Sequence, residues 1–472
     1  MELISDLNQP AFWLYFLYTI LVVAAVLHIL YQRRSPQNLM AWLLTLLLLP
    51  FIGLVLYLIL GSRKLFSKRK KPILNMQPIS QTSPESELGV QINNILDANG
   101  LPTATHSNLI ESYQDPISAC KALIKEIQSA QYSIHLQTYI FDFDQTGKAI
   151  FEALITRAKE GVEVCLLMDT IGSFALYRNQ KLLAPLVNAG GQFAFFQPLF
   201  KTPFNNQVNL RNHRKIYLFD GKTLLTGGMN ISSDYLGCQN NSTPKKHWKD
   251  LLFKIEGPAC WHYQNIFNAD WKYTTNKIIR QPKVAHAHSD TAEQGQTIQV
   301  IPSGPDIDKD VLFETLLHAI FAAKNRIDIV SPYFIPDNAL MNALLIAIKR
   351  GVKVTLITPQ KSDHIIFDLG RSSYMRELHE NHGKIYLDNS AMLHAKLILI
   401  DDECVIMGSA NVDYRSLFIN HEVVNYIYSQ QLMKEMRDWL QQLKKHAIPY
   451  KPNHRKLHRM LENLTRIFAP IL

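Results

Sequence analysis

Two stretches of the chain carry the same pattern, "HRKIYLFDGKTLLTGGMN" over residues 213–230 and "HAKLILIDDECVIMGSAN" over residues 394–411. Each runs His, any residue, Lys, four residues, Asp, six residues, Gly, and an Asn three further on, and the second copy starts 181 positions after the first. Two copies with every offset the same point to an internal duplication. The surroundings repeat as well. "ACKALIKEIQSAQ" leads to "YSIHLQTYIF" in the first part and "LFETLLHAIFAAKN" leads to "RIDIVSPYFI" in the second. "ALITRAKEGVEVCLLMD" and "ALLIAIKRGVKVTLITP" follow, each an apolar-periodic helix, a Gly stop and a buried-strand run. This alternation predicts an α/β fold of two similar half-domains, residues 113–282 and 298–446, each a β-sheet flanked by helices and joined about a pseudo-twofold axis.

The polar stretch "KVAHAHSDTAEQGQT", residues 283–297, reads as the linker between halves. No constellation of ligands completes a metal site around its His286 and His288, so it is a solvated loop. Residues 447–472 form a basic segment with Leu457, Met460, Leu461, Leu464 and Phe468 at helical spacing. Such a helix docks on the body or lies on an anionic membrane surface.

Ahead of the duplicated body, residues 11–31 and 39–60 are two uncharged apolar runs, each long enough to cross a bilayer, which takes about 20 residues. They predict a two-helix transmembrane hairpin within residues 1–62, with Pro50 and Gly53 kinking the second span. Arg33 and Arg34 lie between the spans, whereas Arg63, Lys64, Lys68, Arg69, Lys70 and Lys71 follow the second. This excess places the body on the cytoplasmic side of the cytoplasmic (inner) membrane. Residues 63–112 read as a basic juxtamembrane segment and linker. The net charge of +9 is concentrated there, which suits anionic headgroups or a stop-transfer signal. The five cysteines (Cys120, Cys165, Cys238, Cys260 and Cys404) are odd in number and widely spaced, and suggest neither a disulfide framework nor a zinc site.

In a strand, residues two apart share a face, so His213 and Lys215 point one way, as do His394 and Lys396. Asp220 and Asp401 have the opposite parity and suit holding a turn. If the following run returns as a hairpin, Gly227, Gly228 and Asn230, or Gly408, Ser409 and Asn411, come back toward the His and Lys. They would offer open backbone and an amide donor to an anion. Each half then supplies half of a phosphate site. Two halves together place two imidazoles and two ammonium groups around one phosphodiester, with no metal or cofactor required. One imidazole attacks phosphorus and the other protonates the leaving alkoxide. Asp250 and Glu422, each opening a later strand-like run, are the candidates for fixing the imidazole tautomers.

With these motifs the chain resembles the phospholipase D superfamily and, within it, the bacterial cardiolipin synthases. The likeness extends to "AWLLTLLLLPFIGLVLYLILG", "LQTYIFDFDQTGKAI", "HWKDLLFKIEGPA" with "FNADW", "VIPSGPD", "SPYFIPD" and "NVDYRS". The resemblance implies phosphatidyl transfer between two phosphatidylglycerol molecules, giving cardiolipin and glycerol through a metal-independent phosphohistidine. By resemblance His213 attacks and His394 is the acid and base. Gly228 stands where the second copy has Ser409, so the halves are unequal. "FQPLFKTPFNN", residues 196–206, is a lipid entrance or a packed loop. Other readings of the same site are a phospholipase, a synthase with phosphatidylethanolamine as donor, a nuclease and a lipid-binding scaffold. No stripe of basic and aromatic residues supports nucleic acid.

Overall fold

Runs of β-branched and leucine residues become strands throughout the body of the computed structural model, which describes residues 10–31, 36–61, 71–76, 78, 83–198, 209–238, 247–279, 295–453 and 455–468. The basic run 63–70, residues 33–34, 199–208 and 239–246 and most of the linker (280–294) lie outside the described residues, as do the readings placed on them.

The first half contributes β1 (Thr105–Tyr113), β2 (Ser133–Thr138), β3 (Glu163–Asp169), β4 (Gln192–Phe196), β5 (Ile216–Phe219), β6 (Thr223–Gly227) and β7 (Leu252–Glu256). The second contributes β8 (Gln296–Ser303), β9 (Arg326–Val330), β10 (Phe334–Ile335), β11 (Lys353–Pro359), β12 (Lys384–Asp388), β13 (Leu397–Ile400), β14 (Cys404–Gly408), β15 (Val412–Asp413), β16 (Glu422–Tyr428) and β17 (Ala447–Pro449). Read outward from the centre, one half runs β1-β7-β6-β5-β2-β3-β4 and the other β8-β16-β14-β13-β9-β11-β12, with β17 added at the outer edge. Antiparallel pairing of β1 with β8 fuses them into one 15-stranded sheet. The matching strand order is the sequence duplication in backbone form.

Parallel neighbours need crossover helices. Gln145–Lys159 joins β2 to β3 and Asn338–Lys349 joins β9 to β11. Asp144 and Asp337 cap their N-termini. Gly161 and Gly351, at φ 89° and 93°, end them in the left-handed conformation, as the Gly stops predict. One continuous apolar core, including Phe253, Trp271, Ile298, Leu397 and Tyr426, runs through both halves and makes them a single body.

Asp220 and Asp401 sit at φ 53° and 49° in the turns of the β5–β6 and β13–β14 hairpins. The Asp220 carboxylate accepts the backbone N–H groups of Gln131, Tyr132 and Ser133 at 2.7–2.8 Å. Asp401 does the same for Lys324, Asn325 and Arg326 at 2.7–2.8 Å. Each fastens the turn that enters the next strand, β2 or β9.

Three sequence expectations change. Residues read as a linker up to 112 are partly built into the body. Lys71, Leu74 and Met76 are buried, helix Glu87–Ala98 packs on helix Val311–Ala322, and β1 lies at the centre of the sheet. The apolar segment needed a partner surface that a linker reading did not supply. The second change concerns cysteine: Cys120 and Cys238 form a disulfide, their Cα atoms 5.2 Å apart across a sequence separation of 118. Spacing along the chain carried no sign of that proximity, and a disulfide suits an oxidising compartment, so the cysteines lend no support to a cytoplasmic body.

The third change is at the front. Helix Pro10–Tyr31 is exposed and apolar, and among the described residues it is the one helix long and apolar enough to cross a membrane. The second apolar run does not form an unbroken span. It folds as helices Pro36–Leu48 and Ile52–Leu60, because Pro50 lacks an N–H and Phe51 turns to φ 63°. Ala25, Ile29, Trp42, Leu46, Leu54 and Tyr57 pack the three helices together.

Removing the Asp401 carboxylate (Asp401→Ala) deletes three backbone hydrogen bonds outside the chemistry. Thermal or denaturant unfolding should show a loss of about 3 kcal/mol, with turnover per folded molecule retained.

Candidate active site

The His and Lys of each motif lie just ahead of their strand, in an extended segment before β5 or β13, not within it. That segment pairs with the opposite half. The His213 N–H donates to the His421 carbonyl at 2.9 Å, and His421 N–H to Arg211 at 2.8 Å. Likewise His394 N–H donates to the Lys249 carbonyl at 2.8 Å, and Lys249 N–H to Met392 at 2.8 Å. The acid following each partner then reaches the imidazole. His213 Nδ1 lies 3.1 Å from Glu422, and His394 Nδ1 lies 2.7 Å from Asp250. Both acids are fully buried, and each orients the histidine of the other half.

Glycine explains how the acids fit. A Cβ on Gly227 would stand 2.3 Å from the Leu251 carbonyl, and one on Gly408 the same distance from that of Val423. Both are the residues next after the acids, so these glycines admit the acid-bearing strands. Gly228 N–H donates to Leu251 at 3.1 Å and Ser409 N–H to Val423 at 3.0 Å, so these amides serve the sheet and not an anion. Ser409 Oγ donates to Glu422 at 2.5 Å, while a Cβ on Gly228 would meet the Asp250 carboxylate at 2.1 Å. Serine in one half supports the acid; glycine in the other makes room for it.

Lys215 Nζ donates to the His213 carbonyl at 2.7 Å, and Lys396 Nζ makes the equivalent bond to His394. Lys396 also lies 3.1 Å from His394 Nε2. The Asn230 carbonyl oxygen accepts the Ile140 N–H at 3.2 Å, and its amide nitrogen is buried without a partner among the described residues. Asn411 Oδ1 is buried without a partner among the described residues. Asp220 and Asp401 stay at the turns described above and do not join the cluster.

The two motifs share one electrostatic field. Burial lowers Lys215 to about 7, with Lys396 depressing it further against the pull of Glu422, and burial lowers Lys396 to about 8 against the pull of Asp250 and Glu422. Burial and then Lys396 lower His394 to about 4, with Lys215 adding to it. Burial also lowers His213, against the pull of Glu422, and Lys396 contributes. Burial pushes Asp250 and Glu422 up, but Lys396 and His394 outweigh it at Asp250, as His213 and Lys215 do at Glu422. The site therefore holds ionised acids and proton-poor bases, a charge pattern that an entering phosphodiester anion would complete by drawing protons onto the cations.

Several residues around the pair were not singled out from sequence. The Tyr235 hydroxyl is 3.4 Å from His394 Nε2, and Trp248 packs its ring against the same imidazole. Tyr139 meets His213 edge-to-face with ring centroids 5.1 Å apart. Arg214, fully buried between His213 and Lys215, bonds Asp270 at 3.0 Å and the Glu422 carbonyl at 3.1 Å. Asp306 sits 3.0 Å from His421 Nδ1. Lys71, eleven positions after Leu60 at the end of the last apolar helix, ends in this cluster, bonding both Asp270 and Asp306. Asp270, Asp306 and His421 have the donors of a cation site, but Lys71 and Arg214 already supply its positive charge. The signal available in sequence was the Arg214 to Ala395 difference inside otherwise matching motifs.

A duplicated sheet that brings two such motifs together defines the phospholipase D class of enzymes. The fold is similar to that of the phosphatidylserine synthase of Haemophilus influenzae, with a TM-score of 0.58 at 15% identity, covering 81% of this chain and 98% of that one. The model of the cardiolipin synthase, PLD-like domain matches residues 123–271 and 316–444, and that of the phospholipase D-nuclease N-terminal region matches residues 20–62. The major cardiolipin synthase of Bacillus subtilis (strain 168) is 32% identical over 97% of this chain and 98% of its own length. A cardiolipin synthase of Clostridium perfringens (strain 13 / Type A) is 33% identical over 93% of this chain and 95% of its own. The chain belongs to the cardiolipin synthase family.

Two tests follow from the geometry. Lys71→Met leaves two buried carboxylates facing one guanidinium and should cost about 3–5 kcal/mol in denaturant unfolding, most of which Asp306→Asn in the same chain should restore. The second concerns pH: as pH rises Lys215 and Lys396 lose their protons, so the Kd of a non-reactive phosphodiester anion should weaken near 7–8 rather than near the ordinary lysine value. The acid limb of kcat/KM, which reports the free enzyme, should lie below 6.5, because His213 is lowered from that value.

Proposed function

We propose that this enzyme transfers a phosphatidyl group from one phosphatidylglycerol to another in the membrane, giving cardiolipin and glycerol through a covalent phosphohistidine. The observation that carries this reading is the crossed pair of carboxylate–imidazole hydrogen bonds, His213 with Glu422 and His394 with Asp250. Each fixes Nδ1 and leaves Nε2 for chemistry.

His213 is the nucleophile in this reading. Its Nε2 has no hydrogen-bond partner among the described residues, whereas His394 Nε2 is attended by Tyr235 and Lys396. The Nε2 lone pair forms the N–P bond as the P–O bond to glycerol breaks. Binding of the phosphate anion raises the depressed His394, which then carries the proton delivered to the departing alkoxide. Neutral again, His394 takes the proton of the acceptor phosphatidylglycerol hydroxyl, whose oxygen attacks phosphorus and releases His213. Lys215 and Lys396 neutralise charge on the phosphoryl oxygens. Aromatic rings beside both imidazoles, Tyr139 at His213 and Tyr235 with Trp248 at His394, limit water, the competing acceptor.

The apolar helices at the N-terminus hold the body where donor and acceptor lipids meet it laterally, and their broken second part spans or re-enters the bilayer as one unit with the first.

With purified protein in phosphatidylglycerol vesicles, lipid mass spectrometry should find cardiolipin and glycerol in equal amounts; phosphatidic acid in their place would make the enzyme a hydrolase. His213→Ala and His394→Ala should each lower turnover by about a thousandfold or more while remaining folded. Intact mass after acid-free quenching should locate the phosphatidyl adduct on His213, and an adduct on His394 would reverse the two roles.

A further inference from the structure

The C-terminal helix Lys456–Phe468 is amphipathic, and it docks the wrong way round for a helix in water. Its polar side faces the body. Glu462, nearly fully buried, accepts from Ser372 at 2.5 Å and pairs with Arg376. Arg376 also bonds Asn463 at 3.2 Å, and Arg466 bonds Glu377 at 2.8 Å while stacking over Tyr374. All of these partners lie on helix Ile365–Glu380. The apolar side faces out: Met460 is 68% exposed, Leu461 47% and Leu464 52%. In water the apolar stripe would turn inward. Inward-facing ion pairs with an outward apolar stripe are the arrangement expected where something apolar covers the outer side.

Two further observations identify the cover. The helix lies beside Pro36–Leu48, part of the apolar N-terminal bundle that associates with the membrane, so the stripe continues that surface. Ile365 and Ile366, 78% and 60% exposed, project from the start of the helix on which it docks. The residue two before Ile365, Asp363, accepts from Tyr333 at 2.6 Å and acts electrostatically on both Lys396 and Tyr235. The isoleucine pair therefore borders the active site. Arg455 and Lys456, both exposed at the helix start, suit anionic headgroups.

We propose that the C-terminal helix and the Ile365–Ile366 tip form a platform sunk into the interfacial region of the same anionic bilayer that holds the N-terminal helices. The platform sets the mouth of the site at headgroup depth, so a phosphodiester lipid enters sideways without leaving the bilayer. The identity of that lipid rests on the reading under Proposed function; the docking does not.

The test uses the full chain in phosphatidylglycerol vesicles, with a fluorophore at Leu464→Cys or, for comparison, at Gln441→Cys on an exposed part of another helix. The native free thiols Cys165, Cys260 and Cys404 are buried, so labelling falls on the introduced thiol. Acyl-chain quencher lipids should quench the label at 464 about fivefold more than the one at 441. Equal quenching overturns the proposal. So does shielding of 464 from aqueous iodide without lipid quenching, which would assign the face to a second copy. This readout is independent of catalysis. In turnover, Met460→Asp with Leu464→Asp should lose about tenfold on vesicles and keep its rate on monomeric short-chain phosphatidylglycerol; equal loss on both substrates, or on neither, overturns it.

Discussion

Two hydrogen bonds that cross between halves, Glu422 to His213 and Asp250 to His394, are what the rest of the structure serves. A buried carboxylate is costly without a partner, and each finds its basic partners, an imidazole and a lysine, on the other half. The short parallel bridges Asn212 with His421 and Lys249 with Leu393 hold the backbones in register for that exchange. The β1–β8 seam and the common core keep the halves from sliding, so imidazole positions are fixed by the whole sheet and not by a loop.

Within that symmetry the halves have taken unequal tasks. Arg214 occupies the position that Ala395 holds in the second motif, and Asp270, its partner, is buried where the matching Asp438 is exposed. A guanidinium, an ammonium and two carboxylates thus surround the His213 side, where the His394 side has the Lys249–Asp388 pair. The His394 side instead gathers Tyr235 and Trp248, groups suited to controlling one proton at Nε2.

Periodicity revealed the duplication, its α/β class and the two His–Lys pairs that the fold brings together, because identical offsets leave little room for coincidence. Both acids were also legible, as residues opening later strands. That they would exchange halves was not, since a strand pattern carries no information about which neighbour it meets. Asp220 and Asp401 share the motif's spacing but have the opposite parity, which suited them to holding a turn, and three backbone amides bind each of them there. Lys71 looked like one more basic residue in a charged run; only the folded chain shows it inside. The second apolar stretch had the composition of a span, but one proline and one residue at positive φ divided it. Cys120 and Cys238 gave no warning, as through-space neighbours rarely do at such separations.

The fit of Gly228 against Asp250, beside that of Ser409 against Glu422, limits how these halves can drift apart or be recombined. A hydroxymethyl at 228 has no space while the shorter acid stands close, and a missing hydroxyl at 409 strips the longer acid of its donor. Change at either site is therefore gated by its companion, so the viable steps are paired ones. A chimera that grafts the loop of one half onto the other would have to carry its acid along.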